Sequence, residues 1–177
     1  LENKLSFDDD IRKYLPELHE FEQSITIRHL LHHTSGFRST PELFALAGWR
    51  EGDAITTEDD YSYLCKQTSL NFVPGEQFMY SNSNYVLLAM IIERVTQKPF
   101  QLWMKTNIFK PLKMNHTFVD EKNGNTDKKV ATPYYEIGEN QFTLAENISL
   151  NIGASNIYTT ATDLISWMSN FHSPSKG

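Results

Sequence analysis

The segment Tyr80-Ser81-Asn82 places a phenol and a carboxamide two residues apart, just after a Pro74-Gly75 turn and at the start of a strongly apolar stretch. A helix that begins there presents free N–H groups and the positive end of its dipole. A tyrosine becomes a general base only if a nearby cation lowers its pKa, and an asparagine can orient a nucleophile and a substrate carbonyl. The three residues alone favour a plainer interpretation, in which Asn82 caps the helix and Tyr80 is a half-buried ring.

The elements that must position these residues are mostly helical. The strongest pattern spans 82–97 and is apolar nearly all round, which predicts a buried helix. Five further helices are expected from caps, apolar spacing and prolines: one after a capping box at Ser6-Asp9 and closed by Pro16, then 27–33 capped by Thr26, 41–47, 57–67 and 99–111. A last amphipathic helix follows the capping box Thr160-Ala161-Thr162-Asp163, with Leu164, Trp167, Met168 and Phe171 on one face.

Short strands or extended segments are predicted at 116–119, 129–135 and 141–145. Because these pieces are few and short beside the helices, the fold class is mainly α with a small β component (α+β).

Composition limits the kinds of function that the chain can have. Its 177 residues, 40% of them apolar, can bury the core of one domain or one large subdomain. The net charge of −6 argues against nucleic acid or an anionic membrane as partner. The single cysteine, Cys65, excludes an intrachain disulfide and a cysteine-based zinc cluster. No apolar run reaches the roughly 20 residues that cross a bilayer.

Four segments, 25–37 with His32-His33-Thr34-Ser35-Gly36, 74–85 with Tyr80-Ser81-Asn82, 107–114 and 153–164, occur in this order, and 4–9 and 13–18 precede them. Together they resemble the β-lactamase-like serine hydrolase family, which includes class C β-lactamases, D-alanyl-D-alanine carboxypeptidases, D-aminopeptidases and related esterases. The resemblance covers nearly the whole chain. It implies the helical subdomain of the β-lactamase and penicillin-binding-protein-like transpeptidase fold.

The resemblance also implies a mechanism. In this family a serine of an S-x-x-K motif attacks a carbonyl and forms an acyl-enzyme, and the lysine assists a tyrosine that acts as general acid and base. An asparagine positions the lysine and the substrate, while a further strand and backbone N–H groups complete the site. By this resemblance, Tyr80 is the acid/base residue and Asn82 the orienting residue. Ser155 and Asn156 lie in the stretch that borders the family's site and are expected to bind substrate.

The chain departs from the family at both of the remaining motifs. Ser173 is the only serine with a lysine three positions on, and Ser173-Pro174-Ser175-Lys176 lies in a polar proline-containing stretch rather than at a buried helix start. Lys105-Thr106-Asn107 lacks the glycine of the wall strand and falls in a helical pattern. We therefore expect residues 1–177 to be a single partial domain, with the nucleophile upstream of Lys4 and the wall strand downstream of Gly177. We expect this chain alone to be catalytically silent.

Other candidate residues have weaker patterns. His29, His32 and His33 could share one helix face, but the sequence places no carboxylate partner beside them, so neither a metal site nor a cofactor is predicted. Cys65 falls in an ordinary helical pattern and is expected in the core.

Two alternatives to a hydrolase remain open. The chain could be a non-catalytic family member that binds a peptide or cell-wall fragment, or a helical interaction module. Under the main interpretation the substrate is a small molecule or peptide, such as a β-lactam, a D-amino-acid peptide or a small ester. Self-association is expected through a face left uncovered by a missing subdomain. The resemblance implies the cell envelope or export, and the residues themselves do not fix the compartment.

Overall fold

The computed structural model describes residues 4–50, 53–120, 130–145 and 151–172. These residues form six α-helices and four short strands. In chain order they are α1 (Ile27–Leu31), α2 (Thr40–Leu46), α3 (Thr57–Cys65), α4 (Asn82–Thr96), α5 (Phe100–Met104), β1 (Phe118–Val119), β2 (Tyr134–Gly138), β3 (Gln141–Leu144), β4 (Ile157–Tyr158) and α6 (Ala161–His172). A 3₁₀ turn at Ile11–Lys13 precedes them, and a π-helical turn at Lys105–Phe109 continues α5. The predicted helix-rich class with little β-structure is confirmed.

Helix α4 is the central element of the core. Val86 and Leu87 are fully buried on it, as its nearly continuous apolar pattern predicts. Leu87 and Ile91 pack into one apolar cluster, while Ala89 packs into a second. The first cluster also contains Ile11, Leu15, Leu18, Ile25, Ile27, Leu30, Phe37 and Leu64, and the second contains Phe100, Phe109, Leu112, Met114, Val119 and Ile152. None of the described helices combines the length and the apolar character that a membrane crossing requires.

Capping residues fix where the short helices begin. Thr26 is the predicted cap of α1, and in the structure it forms a capping box with the N–H and side chain of His29. Helix α3 begins at Thr57 as predicted, and its cap is Thr56, whose capping-box partner is Asp59. Since two reciprocal hydrogen bonds satisfy the otherwise free N-terminal donors, both starts are well defined.

The capping box predicted at Ser6 is wrong. The Ser6 N–H donates to the Asp9 carboxylate and closes a local turn. The short helical turn Ile11–Lys13 begins later, where the Asp10 side chain accepts the Arg12 N–H. A serine and an acidic residue three positions apart fit a turn as readily as a helix start, because both need the same local hydrogen bond.

The strands form two separate antiparallel pairs. One is a hairpin of β2 and β3, in which Tyr134 lies opposite Leu144 and every residue is exposed. The other pairs β1 with β4, a strand that the sequence pattern does not predict. The predicted segment 129–135 overlaps β2 only at its end, and Lys129 lies outside the described residues. The hairpin therefore starts later than expected.

Helix α6 is attached mainly through its beginning. The buried Asp163 carboxylate accepts hydrogen bonds from the His116 N–H at 2.8 Å and the Thr117 hydroxyl at 2.7 Å. Trp167 packs against the second apolar cluster. The remaining apolar side chains of this helix are exposed: Leu164, Ile165, Met168 and Phe171. The predicted amphipathic helix is present, and most of its apolar side chains are exposed in the part of the chain that the structure describes.

Candidate active site

The Tyr80 and Asn82 side chains meet at the start of α4. The Tyr80 hydroxyl donates to Asn82 Oδ1 at 3.1 Å. Tyr80 is 62% exposed, so its phenol lies at the surface and within reach of a solute. Because Ser81 between them has an extended backbone, with φ −148° and ψ 122°, the two flanking side chains can lie on the same side of the chain.

Asn82 is not the helix cap. Ser81 holds the cap position and Asn82 is the first helical residue. The Asn82 N–H donates to Ser39 Oγ at 3.4 Å, while its side-chain oxygen accepts from Tyr80. The carboxamide is thus free of the capping role that its residue type favours, and its two amide hydrogens have no acceptor among the described residues.

The segment before Tyr80 is fixed by backbone hydrogen bonds to the loop after α1. The Gly75 N–H donates to the Thr34 carbonyl at 2.8 Å, and the Met79 N–H donates to the His33 carbonyl at 2.9 Å. Gly75 has φ +91°, a left-handed conformation that glycine adopts without strain. The predicted Pro74-Gly75 turn therefore brings Tyr80 beside His33.

His33 is the residue of this site that sequence reasoning missed. Its backbone is left-handed, with φ +56°, which ends α1 earlier than the predicted boundary and turns the side chain toward α4. Its ring centroid lies 4.6 Å from that of Tyr80 and 5.1 Å from that of Tyr85. Its Nδ1 atom lies 3.3 Å from the Ser81 N–H nitrogen and 3.1 Å from Asn84 Nδ2. In the sequence, His33 is only a weak metal-ligand candidate and part of the segment His32–Gly36 that resembles the family.

Ser35 and Asn84 form a buried hydrogen-bonded pair next to His33. The Ser35 hydroxyl donates to Asn84 Oδ1 at 2.6 Å and accepts from the Phe37 N–H at 3.2 Å. Ser35 and Asn84 are almost fully buried. The preceding residue, Ser83, donates to the Arg38 carbonyl at 2.7 Å and accepts from the Thr40 N–H. The first turn of α4 is therefore held to the loop 33–40 by satisfied buried hydrogen bonds.

The predicted substrate-binding residues, Ser155 and Asn156, lie in a loop that is docked on α3 and α4. The Ser155 hydroxyl donates to Asn151 Oδ1 at 2.9 Å, and the Asn156 amide donates to the Asn151 carbonyl at 3.0 Å. These hydrogen bonds shape the loop itself. A role in substrate binding stays a prediction for both residues.

Asp60 anchors the same loop from inside the protein. Asn151 Nδ2 donates to its Oδ2 at 2.6 Å, and the Asp60 side chain is fully buried. Burial raises the pKa of the Asp60 carboxyl above its usual value, although the hydrogen bond from Asn151 acts in the opposite direction. The group is a structural anchor rather than an exposed acid.

The remaining sequence candidates have structural roles or lie outside the described residues. His29 accepts the Thr26 N–H in the capping box, and His32 is exposed. Burial raises the pKa of the Cys65 thiol, which disfavours the reactive thiolate. Lys105-Thr106-Asn107 lies in the π-helical turn and is not a strand, as expected. The segment 173–176 lies outside the described residues.

Comparisons with known proteins match this chain to one family over nearly its whole length. The Beta-lactamase family model matches residues 1–176. Penicillin-binding protein 4* of Bacillus subtilis is 39% identical over 116 residues, which cover 65% of this chain and 25% of that protein. The octameric penicillin-binding protein homologue from Pyrococcus abyssi has a TM-score of 0.81 at 26% identity, over 99% of this chain and 41% of its own.

A second solved structure, a D-stereospecific amidohydrolase from Streptomyces, has a TM-score of 0.77 at 26% identity and is matched over 96% of this chain and 54% of its own. The chain thus spans about a quarter of the length of the curated relative and about half of the length of the solved ones. The family model and the shared fold agree, and the chain belongs to the Beta-lactamase family, a family of hydrolases that includes penicillin-binding proteins.

Proposed function

We propose that this chain is the central, mostly helical part of a longer serine hydrolase, and that the longer protein cleaves a carbonyl substrate through a serine acyl-enzyme. Tyr80 is the general acid and base, and Asn82 orients the reacting groups. The observation that carries the proposal is the exposed Tyr80 hydroxyl 3.1 Å from Asn82 Oδ1 at the N-terminus of α4. Family membership supports the same assignment.

The substrate class follows from the relatives as a proposal. The named relatives are penicillin-binding proteins and a D-stereospecific amidohydrolase. We infer a β-lactam, a D-amino-acid peptide or a small ester as substrate. All three present a carbonyl carbon that a serine can attack, and each then leaves an acyl group on that serine.

Residues 1–177 alone are proposed to be inactive. The mechanism needs a serine activated by a nearby lysine, and the chain contains no Ser-x-x-Lys outside Ser173–Lys176. Without an activated serine no carbonyl is attacked, so there is no leaving group for Tyr80 to protonate.

Labelling with a fluorescent penicillin or a nitrophenyl ester tests both statements. We expect the isolated chain to remain unlabelled, and the longer protein that contains it to form a one-to-one adduct at a serine outside 1–177. Rapid stoichiometric labelling located by mass to a serine within the chain would overturn the proposed inactivity. A longer protein that has a Ser-x-x-Lys motif, folds and stays unlabelled by every probe would remove the hydrolase assignment.

Self-association is a second proposed property, favoured by the exposed apolar side of α6. A Pyrococcus relative of this fold is described as octameric. This property would also suit the alternative of a non-catalytic binding module, so a failed labelling experiment would leave it standing.

A further inference from the structure

We propose that His33 is the positioning residue of the Tyr80 site, acting as a neutral imidazole whose Nδ1 accepts hydrogen bonds from the Ser81 backbone and the Asn84 amide while its ring contacts Tyr80. The catalytic consequence of this inference rests on the proposed function. Its structural part stands on the geometry of the described residues.

The hydrogen-bond directions fix the form of the imidazole. A backbone N–H can only donate, so the Ser81 N–H at 3.3 Å requires His33 Nδ1 to be an unprotonated acceptor. Asn84 Oδ1 already accepts from Ser35 at 2.6 Å, which turns the Asn84 NH₂ group toward Nδ1 at 3.1 Å. Both hydrogen bonds therefore require the same neutral tautomer, in which the proton is on Nε2.

The same contacts locate Tyr80. Ser81 lies between the two proposed catalytic side chains. Among the described residues, the acceptor for its backbone N–H is His33 Nδ1. The His33 ring lies 4.6 Å from the Tyr80 ring, with 39° between their planes. One side chain thus holds the Ser81 N–H and contacts one side of the Tyr80 ring, which limits the positions that the phenol can take.

Protonation of His33 would disrupt this arrangement. A proton on Nδ1 replaces the acceptor with a donor and leaves the Ser81 N–H without its partner, since a backbone N–H cannot reverse its role. Burial lowers the pKa of His33 and outweighs the opposite effect of its backbone contact with Ser81, which leaves the ring neutral at neutral pH. The groups that face the His33 ring are Phe78, Tyr80 and Ser81 from the segment before α4, and Asn84 and Tyr85 from α4. No carboxylate or cation of the described residues shifts the pKa of His33.

Variants at position 33 can separate the acceptor from the backbone conformation. Glycine and asparagine both tolerate the left-handed φ of +56°. His33→Gly removes the acceptor, whereas the Oδ1 of His33→Asn can occupy the place of Nδ1. His32→Asn is the matched control, because His32 is exposed and adjacent in sequence.

The first measurement uses NMR on the chain itself. We expect ¹⁵N shifts of an unprotonated Nδ1 at neutral pH, and a titration midpoint below the ordinary histidine value of about 6.5. We expect amide exchange at Ser81 to rise at least tenfold in His33→Gly and to stay near wild type in His33→Asn and His32→Asn, with exchange at Leu87 unchanged as a check of folding. A protonated Nδ1, or equal Ser81 exchange in the glycine variant, would overturn the proposal.

The second measurement uses the longer protein that contains this chain. Misplacement of a catalytic group by about 1 Å can cost on the order of 100-fold, so we expect His33→Gly to lower the acylation rate constant by about 10- to 100-fold with little change in KM. His33→Asn should recover most of the rate. If wild type is acylated and His33→Gly is equally fast, His33 has no positioning role in catalysis. If wild type itself is not acylated, the proposed function fails, and the NMR result alone decides the structural claim.

Discussion

At the scale of single residues, the site depends on how the backbone around Ser81 aims its neighbours. An extended Ser81 lets the Tyr80 phenol reach Asn82 Oδ1, and a helical Ser81 would send the two side chains to different faces. The carboxamide therefore accepts a hydrogen bond from Tyr80 instead of capping α4.

Replacing Tyr80 by phenylalanine tests the acid/base assignment. Tyr80→Phe removes the hydroxyl and leaves the ring beside His33, so we expect acylation of the longer protein to slow by about 10²- to 10⁴-fold, the usual contribution of a general acid or base. The measurement is stopped-flow acylation with a chromogenic ester or β-lactam.

The control is Tyr134→Phe, which removes another exposed hydroxyl from the hairpin strand β2. It should leave the acylation rate within about twofold, as expected for a surface position. Equal rates for wild type and Tyr80→Phe would exclude Tyr80 from the chemistry.

The buried Asp60 predicts a pH-dependent stability. Because its folded pKa lies above the unfolded value of about 3.9, the folded state holds the proton longer, and the free energy of unfolding falls as the pH rises from the unfolded pKa through the folded pKa. Asp60→Asn cannot ionise and should lose this dependence while keeping an acceptor for Asn151. Urea unfolding of both proteins between pH 4 and about 7 measures it.

Glu58→Gln serves as the comparison, since Glu58 is an exposed carboxyl of the same helix. This variant should retain the slope of the wild type. If the Asp60→Asn protein shows the wild-type slope as well, Asp60 is not the source of the pH dependence.

At the scale of elements, the loop 151–156 depends on close contact with α4. Gly153 has φ +97°, and a Cβ there would overlap the Tyr85 carbonyl. Asp60 and Thr57 hold the loop from the α3 side through Asn151 and the Ile152 N–H. The proposed substrate-binding residues are thereby placed by two helices that are distant from them in sequence.

Gly153→Ala should destabilise the chain by about 2–4 kcal/mol, through left-handed strain and the steric overlap together. Gly48→Ala is the matched control, because Gly48 has φ +90° and, its chain neighbours apart, no atom of the described residues lies within 4 Å of the place that an added methyl group would take. This change should cost only about 1 kcal/mol. Thermal and urea unfolding compare the two. Equal losses would mean that the contact with Tyr85 contributes nothing.

At the scale of the whole molecule, apolar side chains of α6 and of the β2–β3 hairpin face solvent. Ile165 and Met168 are 65% and 64% exposed, and Tyr134 and Phe142 are similarly open. Such surfaces favour association with another protein surface, because removing apolar area from water is favourable.

The double variant Ile165→Glu with Met168→Glu tests self-association of the chain. We expect the wild type to show a concentration-dependent mass above that of a monomer by light scattering after size exclusion, and the double variant to move toward the monomer. Leu46→Glu, at an 85% exposed apolar position on α2, is the control and should leave the association unchanged. A monomeric wild type at all concentrations would contradict the proposal.

Much of the helical framework could be predicted from local pattern. The span of α4 follows from its apolar residues, and the Thr26 cap and the helix at 41–47 follow from short-range rules, to within a residue or two of α1 and α2. The strand β4 and the true extent of β2 could not be predicted, because a two-residue strand carries too little pattern and its pairing partner is distant in sequence.

The candidate site divides in the same way. The sequence by itself determined the family, the helical framework and the nomination of Tyr80 and Asn82, since these depend on motif order and on short-range spacing. Only the tertiary structure decided that Ser81 is extended, that Asn82 accepts a hydrogen bond from Tyr80 and that the His33 ring contacts the Tyr80 ring. The reason is that the His33–Ser81 and Ser35–Asn84 hydrogen bonds join residues nearly fifty positions apart, and no local pattern specifies such contacts before the chain packs.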